Sequence, residues 1–221
     1  FDRDGMLLQR KDLPHKQIIN EKGWVSHDPE EIYQNTVQVV KNLVEESGIS
    51  KESVKGIGIS NQRETSLIWE KKTGKALANA VVWQCTRAAE ICRRVEQTGA
   101  AEMIRQKTGL ALSPYFPASK LAWLKENVEG AEALAKKHAL CFGTIDTWLV
   151  YRMTHGTSYK TDYSNASRTQ LFDIFEQKWD EEICQLFGLD AQDLAEVCDS
   201  DSCFGETDLD GFFEKPVPIQ S

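Results

Sequence analysis

The spacing of apolar side chains predicts a long amphipathic helix early in the chain. Asp28 and Pro29 supply an N-cap and a proline at the first helical position, and two acidic residues follow in the first turn. The positions that share one helical face then recur at i, i+4, i+7, i+8 and i+11: Ile32, Thr36, Val39, Val40 and Leu43. Ser47-Gly48 predicts the end of this helix.

Short apolar runs between turn residues predict strands around this helix. Residues 54–60 are interpreted as a buried strand whose glycines allow close backbone approach. Residues 65–70 and 76–83 are predicted strands joined by a turn at 71–74. Asp4-Gly5 is a hairpin turn signal with only its second strand in the chain, so we expect the natural protein to begin upstream of Phe1.

Helices and strands alternate through the rest of the chain. The predicted helices are 87–98, 119–127, 130–137, a helix from Thr144 or Asp146 to Met153, and 180–187. The predicted strands are 140–142, 159–162 and 169–172, followed by an extended segment at 216–219. This alternation predicts an α/β fold. The 221 residues contain no repeat and no linker rich in Gly, Ser or Pro, so we expect a single domain.

Charge and hydropathy exclude several classes of protein. The chain carries 34 acidic and 26 basic residues without a basic stripe, so no nucleic-acid partner is expected. The acidic excess in residues 176–214 is interpreted as a solvated face, because apolar residues run through it. The longest uncharged apolar run, 76–85, is far short of the ~20 residues that a membrane helix needs. If Phe1 were the natural start, the absence of a charged-then-apolar leader would argue against secretion, and a cytoplasmic location is expected.

The cysteines and histidines give no metal signature. None of the six cysteines has C-x-x-C spacing, which argues against zinc sites and thioredoxin-like chemistry. We expect reduced, partly buried thiols, with pairing of Cys198 and Cys203 under oxidation left open. The four histidines are isolated and are expected to be surface or turn residues rather than ligands: His15, His27, His138 and His155.

The segment with the clearest potential chemistry is Ser60–Ser66, which follows the predicted strand 54–60. Ligands of open α/β sheets bind at the carboxyl ends of strands. Arg63 offers a fixed fork of donors and Glu64 an acceptor, so the pair can hold neighbouring hydroxyls of a polyol. Adjacent side chains of a regular strand face opposite ways, so joint binding requires an irregular backbone here. The alternative is a surface ion pair.

Aromatic side chains supply two further candidates. Tyr115 precedes a predicted helix opened by Ala118 or Ser119, and its hydroxyl is available to a ligand unless the side chain only anchors a loop. Trp83 lies at the end of a predicted strand, where it is either a core residue or part of a ligand pocket.

Six ordered segments resemble the FGGY family of carbohydrate kinases over nearly the whole chain. They are residues 23–29 (GWVSHDP), 61–65 (NQRET), 82–85 (VWQC), 115–127 (YFPASKLAWLKEN), 142–149 (FGTIDTWL) and 161–169 (TDYSNASRT). The 115–127 segment is similar to the first signature of the family, and the 61–65 segment resembles the substrate segment of the members that phosphorylate glycerol. Thr86 stands where many of these members have a basic residue.

The resemblance implies a fold, a reaction and a site. The fold is a ribonuclease H-like domain of the actin/hexokinase type, an incomplete one with a mixed sheet and flanking helices. The reaction is transfer of the ATP γ-phosphate to a terminal hydroxyl of glycerol with Mg²⁺. Arg63 and Glu64 would hold glycerol hydroxyls, Tyr115 would add a hydrogen bond, and Trp83 would line the apolar side of the carbon chain. A motif formed by Asp162, Asn165 and Arg168 is interpreted as scaffold with no chemical step.

The resemblance also implies that parts of the machinery lie elsewhere. The family's phosphate-binding turn would lie upstream of Phe1, its general base after Ser221, and its ATP-binding domain outside residues 1–221. We therefore expect an N-terminal domain truncated at both ends, with no catalytic, cofactor-binding or metal-binding residue of its own. Alone, it should be inactive and expose apolar surface that promotes self-association. The whole protein is expected to be a homo-oligomer.

Two other functions remain open at the level of sequence. The first is another polyol or sugar kinase of the same family. The second is a short, non-catalytic polyol-binding or scaffold protein.

Overall fold

The computed structural model describes residues 1–220 as eight α-helices and twelve β-strands with short connections. The helices are α1 (Pro29–Ser47), α2 (Ala89–Gln97), α3 (Ala101–Thr108), α4 (Pro117–Asn127), α5 (Ala131–Ala135), α6 (Ile145–Met153), α7 (Tyr163–Ala166) and α8 (Glu181–Leu186). The strands are β1 (Ile18–Ile19), β2 (Val25–His27), β3 (Ile57–Gly58), β4 (Ser66–Glu70), β5 (Ala80–Val81), β6 (Leu140–Thr144), β7 (Lys160–Asp162), β8 (Phe172–Asp173), β9 (Lys178–Trp179), β10 (Glu196–Cys198), β11 (Gly205–Thr207) and β12 (Val217–Gln220).

The largest sheet has five strands in the order β1-β2-β5-β4-β6, and its paired neighbours run antiparallel. A three-stranded sheet, β11-β12-β3, is mixed, because β12 pairs with β11 antiparallel and with β3 parallel. The two remaining pairs are β10 with β7, parallel, and β8 with β9, antiparallel. The α/β class is confirmed.

Helices cover both faces of the five-stranded sheet. Successive side chains of a strand point to opposite faces, and both faces of β4 are buried. Ile68 packs into a cluster with Leu121 and Leu124 of α4, whereas Leu67 and Trp69 pack into a second cluster with residues of α1 and α6. The sheet is therefore the middle layer between two hydrophobic cores.

The boundaries of α1 follow the predicted signals. The Asp28 side chain accepts a hydrogen bond from the Glu30 N–H at 2.9 Å, and Pro29 occupies the first turn. The helix ends at Gly48, whose φ of 71° is the left-handed conformation that glycine adopts without strain.

The predicted strand at 54–60 is wrong in length and in burial. Only Ile57–Gly58 pair, and neither residue is buried. Within the described residues β3 pairs only with β12, so it lies at an edge of the three-stranded sheet rather than in the middle of one.

The predicted N-terminal strand is also wrong. The Asp4-Gly5 turn forms, with the Asp2 N–H donating to the Met6 carbonyl at 2.9 Å, but residues 6–17 form no strand. Their backbone pairs with no other strand of residues 1–220, and Met6, Leu7 and Leu8 are largely exposed. The expected exposed apolar surface is present at this position.

Several other helix and strand boundaries differ from the predicted ones by a few residues. Helix α4 begins at Pro117, before the predicted Ala118 or Ser119, because proline fills the first helical position. Thr144 is the N-cap of α6, which settles that alternative. The strand predicted at 169–172 forms only at Phe172–Asp173, and α3 had not been predicted.

The histidine expectation fails at one position. His27 is buried in β2 rather than exposed or in a turn, and its Nδ1 lies 3.2 Å from Nε2 of His15. All six cysteines are free, and four of them are buried: Cys85, Cys92, Cys141 and Cys184. Among residues 1–220, no helix combines the length and the apolar character that crossing a bilayer requires.

Candidate substrate-binding site

The turn that links β3 to β4 holds the first two candidate residues in an irregular backbone. Glu64 has a φ of 68°, which is uncommon for a residue with a side chain. The irregular backbone that joint binding by Arg63 and Glu64 requires is present at this turn. This irregularity gives the two neighbouring side chains different surroundings.

The Glu64 carboxylate is buried but not fully used by the protein. The residue is 5% exposed, and Oε1 accepts a hydrogen bond from Arg168 Nε at 2.7 Å. Within residues 1–220, Oε2 accepts no hydrogen bond, and it is not among the fully buried atoms that lack a partner. Oε2 is therefore an acceptor that the described part of the chain leaves without a donor.

Arg63 lies on the open side of the same turn. Its side chain is exposed and makes no ion pair or side-chain hydrogen bond with the residues that the structure describes. It lines a cleft of about 580 Å³ at the carboxyl end of β3. The other residues that line the cleft are Gly58, Ile59, Ser60, Asn61, Asp162, Ser164, Asn165 and Ser200.

The structure does not bring all four candidate side chains into one pocket. Glu64, Tyr115 and Trp83 are not among the residues that line the Arg63 cleft. A joint grip of Arg63 and Glu64 on one ligand therefore stays a prediction.

Trp83 and Tyr115 form a half-exposed aromatic wall. Their rings meet edge to face, with centroids 5.7 Å apart, and each residue is 38% exposed. The Tyr115 hydroxyl makes no hydrogen bond within residues 1–220, so it is free to serve a ligand. Trp83 is thus not the core residue that the alternative interpretation required.

Arg168 connects the buried carboxylate to this wall. Besides its bond to Glu64, its guanidinium carbon lies 5.1 Å from the centroid of the Phe116 ring, and that ring packs against Tyr115 at 5.3 Å. A continuous chain of contacts thus runs from Glu64 through Arg168 and Phe116 to Tyr115 and Trp83. The sequence interpretation of Arg168 as scaffold had missed this link.

Lys120 lies beneath the same loop, and sequence reasoning had not singled it out. It is fully buried, and its ammonium donates hydrogen bonds to the carbonyls of Tyr115 and, at 3.3 Å, Phe116. Burial lowers the pKa of Lys120 to about 7, against the opposing effect of the Glu64 carboxylate. A lysine within an otherwise apolar helix face was the available signal for this residue.

A second buried carboxylate anchors the start of the turn. Asp146, on α6, accepts hydrogen bonds from Asn61 Nδ2 at 2.8 Å, from the Thr161 hydroxyl at 2.7 Å and from the Thr144 hydroxyl. Burial raises the pKa of Asp146, while the hydroxyls of Thr144 and Thr161 lower it. The side-chain oxygen Oδ1 of Asn61 in turn accepts from the Asp146 N–H at 3.1 Å.

Asp162 and Asn165 carry hydrogen bonds that hold the local backbone. Asp162 Oδ1 accepts from the Asn165 N–H and from its side-chain amide, both at 2.7 Å, and Oδ2 accepts from the Ser200 hydroxyl. Within residues 1–220, no group of three or more His, Cys, Asp or Glu side chains is arranged to hold a metal ion.

Comparison with known proteins identifies the family. The profile of the FGGY family of carbohydrate kinases, N-terminal domain, matches residues 1–220. The chain belongs to the FGGY family of carbohydrate kinases. The matching profile describes the N-terminal domain of the family.

Relatives within the FGGY family include glycerol kinases. Glycerol kinase 1 of Thermotoga maritima is 47% identical over 219 residues, which are 99% of this chain and 44% of that protein. The crystal structure of Plasmodium falciparum glycerol kinase with ADP superposes with a TM-score of 0.85 at 34% identity, covering 95% of this chain and 42% of that one. The chain therefore spans less than half the length of these relatives.

More distant FGGY kinases share the fold. The crystal structure of gluconate kinase from Lactobacillus acidophilus has a TM-score of 0.80 at 20% identity, over 93% of this chain and 41% of that one. This likeness confirms the expected actin/hexokinase-type architecture and carries no information on substrate.

Proposed function

We propose that residues 1–221 are the substrate-binding part of an ATP-dependent glycerol kinase. The whole protein would transfer the γ-phosphate of ATP to a terminal hydroxyl of glycerol. Glycerol kinases of 47% and 34% identity over almost the whole chain support this assignment. Neighbours such as the gluconate kinase, at 20% identity, share only the fold.

The observations that support the proposal are three polar groups without a partner and the half-exposed aromatic pair of Trp83 and Tyr115. The Arg63 guanidinium, Glu64 Oε2 and the Tyr115 hydroxyl have no hydrogen-bond partner within residues 1–220. Glycerol has three hydroxyls that both donate and accept, on a short apolar carbon chain. Arg63 would donate, Glu64 would accept, Tyr115 would add a further bond, and Trp83 would contact the carbon atoms.

The assignment predicts strict recognition of hydroxyl groups. A site that pairs each substrate hydroxyl rejects analogues that lack one, because its own polar groups would be left unpaired. Glu64 is only 5% exposed in the free protein. Most of the desolvation of its carboxylate has therefore taken place before the substrate binds.

The phosphoryl-transfer step belongs to the whole protein in this proposal. ATP with Mg²⁺ would supply the phosphoryl group, and such transfer depends on positioning and on neutralisation of the phosphate charge. No step is assigned to a residue of this chain through the nucleotide or the metal. The general base after Ser221, the homo-oligomeric state and the cytoplasmic location remain predictions from the sequence.

The test measures phosphorylation by the full-length protein that contains this segment. We expect turnover of glycerol with ATP, with a higher kcat/KM than for erythritol or xylulose. A preference for xylulose would replace glycerol kinase with another kinase of the family. Absence of any polyol phosphorylation by the full-length protein would favour the non-catalytic alternative.

Residues 1–221 by themselves are expected to show no turnover. Purified residues 1–221 should give no glycerol 3-phosphate above a blank without protein. Turnover above that blank would contradict the proposal that phosphoryl transfer requires the whole protein. Light scattering should show self-association, because Met6, Leu7 and Leu8 are exposed. A monomer at high concentration would contradict that part.

A further inference from the structure

The segment 161–169, which carries Arg168, is a compact hydrogen-bonded unit. Asp162 is the N-cap of α7, and its Oδ1 accepts from the Asn165 N–H at 2.7 Å. The Asn165 side-chain amide donates to the same oxygen at 2.7 Å. These bonds fix the side chains of Asp162 and Asn165 relative to the backbone that carries Arg168.

This unit holds the substrate turn at two points, one on each side of Arg63. Before Arg63, Asn61 Nδ2 donates to Asn165 Oδ1 at 2.9 Å. After it, Glu64 Oε1 accepts from Arg168 Nε at 2.7 Å. Because Glu64 adopts a left-handed backbone conformation, contacts such as these must hold it there.

The same unit also holds the loop that carries Tyr115. The Ala118 N–H, in the first turn of α4, donates to the Thr169 carbonyl at 2.9 Å. The Arg168 guanidinium lies over the Phe116 ring at 5.1 Å, in the range of cation–π contacts. Arg168 is thus the side chain that contacts both the carboxylate and the aromatic loop.

We propose that Arg168 is a positioning residue that orients the Glu64 carboxylate toward the substrate and thereby sets selectivity for the substrate hydroxyls. This inference rests on the proposed function. Arg168 Nε occupies Oε1, which fixes the plane of the carboxylate and leaves Oε2 for the ligand. Arg168 acts through Glu64 and Phe116 and need not touch the substrate.

The main test is a double-mutant cycle in the full-length protein with the variants Arg168→Gln, Glu64→Gln and the combination of both. Arg168→Gln should raise the glycerol KM by about tenfold or more and change the ATP KM by less than about twofold. In the Glu64→Gln background, Arg168→Gln should change the glycerol KM by less than about twofold, because its partner is already altered.

The matched control is Arg105→Gln, which removes an exposed arginine paired with Glu102 on α3. This variant should leave the glycerol and ATP constants within about twofold of the wild type, because exposed pairs contribute little. Calorimetric titration of glycerol gives a dissociation constant that does not depend on turnover, and it should follow the same pattern as KM.

A second readout separates positioning from a purely structural role. The preference for glycerol over propane-1,2-diol, which lacks one hydroxyl, should narrow by about tenfold in Arg168→Gln. Arg168→Lys, which keeps the charge and one donor, should recover part of that preference. If Arg168→Gln does not fold, the cycle is run with Arg168→Lys, whose smaller effect must still vanish in the Glu64→Gln background.

The outcomes distinguish this inference from the proposed function. If the wild-type protein does not phosphorylate glycerol, the proposed function fails and the inference fails with it. If the wild type is active on glycerol but the Arg168 and Glu64 effects are additive, or Arg168→Gln behaves like Arg105→Gln, only the inference is overturned.

Discussion

The two buried carboxylates at the ends of the substrate turn are used in opposite ways. Asp146 receives hydrogen bonds on both oxygens, from Asn61 and Thr144 on Oδ1 and from Thr161 on Oδ2. Glu64 receives one bond, from Arg168, and keeps Oε2 without a partner in residues 1–220. The chain uses both oxygens of Asp146, which indicates a structural role, whereas Glu64 keeps an oxygen that can accept a bond from a ligand.

Removing the Asp146 carboxylate should have the largest effect on stability. Asp146→Ala leaves the Asn61 amide and the hydroxyls of Thr144 and Thr161 without their buried acceptor. Each buried donor left without a partner costs about 1–3 kcal/mol, so we expect a loss of about 3 kcal/mol or more. Urea denaturation followed by circular dichroism measures the change.

Asp146→Asn is the matched control for this prediction. The amide keeps the side-chain volume and one acceptor oxygen for the buried donors, so the loss of stability in Asp146→Asn should be smaller than in Asp146→Ala. If Asp146→Ala were less than about 1 kcal/mol less stable than the wild type, the network would not have the structural role that distinguishes it from Glu64.

Replacement of Arg63 tests the proposed role in substrate binding. Here we expect a loss of affinity for glycerol without a loss of stability. Arg63 is exposed and unpaired within the described residues, so Arg63→Ala should leave the unfolding midpoint unchanged. Loss of a charged donor to a hydroxyl costs about 1.5–3 kcal/mol, which corresponds to a rise of roughly 10- to 150-fold in the glycerol KM. Steady-state kinetics of the full-length protein measure it.

Arg94→Ala serves as the control for Arg63→Ala, because Arg94 pairs with Glu126 on the surface. Its glycerol KM should equal that of the wild type. An unchanged KM in Arg63→Ala would remove Arg63 from the site and leave the cleft that it lines without the proposed role.

The sequence was sufficient for the long elements and for the family, and the structure shows why. The N-cap, the proline and the glycine that bound α1 act within a few residues of each other, so local chemistry fixes its ends. The two-residue strand β3 was mispredicted as a buried strand of seven residues, because its length depends on how many neighbours pair with it. The local pattern of apolar and polar residues does not indicate which strands pair.

The sequence indicated candidate residues for the site but not the contacts that connect them. Arg63, Glu64, Tyr115 and Trp83 were named from the sequence, with an irregular backbone at Arg63 and Glu64 as the condition for joint binding. The partner of Glu64 lies more than one hundred positions away in the chain, at Arg168, where no local pattern indicates it. The same holds for the contact of Asn61 with Asp146.

A smaller effect is expected at the edge of the aromatic wall. The Tyr115 hydroxyl has no partner within residues 1–220, so Tyr115→Phe should not alter stability. A neutral hydrogen bond to the substrate contributes about 1 kcal/mol, and its loss should raise the glycerol KM about fivefold. Tyr163→Phe, a half-exposed tyrosine on α7, is the control, and equal KM values for both variants would contradict a role for Tyr115 in binding.

The smallest predicted effect concerns the buried charge beside Glu64. The pKa of Lys120 falls from 10.5 to about 7 because of burial, with the Glu64 carboxylate and the thiols of Cys85 and Cys92 acting in the opposite direction. The unfolded chain therefore binds more protons than the folded chain between these two values, and stability rises with pH through that window. Below pH 7 both states are protonated, and the full cost of burying the ammonium remains.

Replacement of Lys120 should remove this pH dependence. Between pH 6 and pH 7.5 the wild type should gain roughly 0.8 kcal/mol of stability relative to Lys120→Met, as follows from a folded pKa of about 7. Urea denaturation at both pH values measures the difference, and Lys137→Met, an exposed lysine, should keep the wild-type slope. Equal slopes in the wild type and Lys120→Met would show that hydrogen bonds to the Tyr115 and Phe116 carbonyls keep the ammonium charged. In that case Lys120 would resemble Asp146, as a buried group fully satisfied by the chain, rather than Glu64.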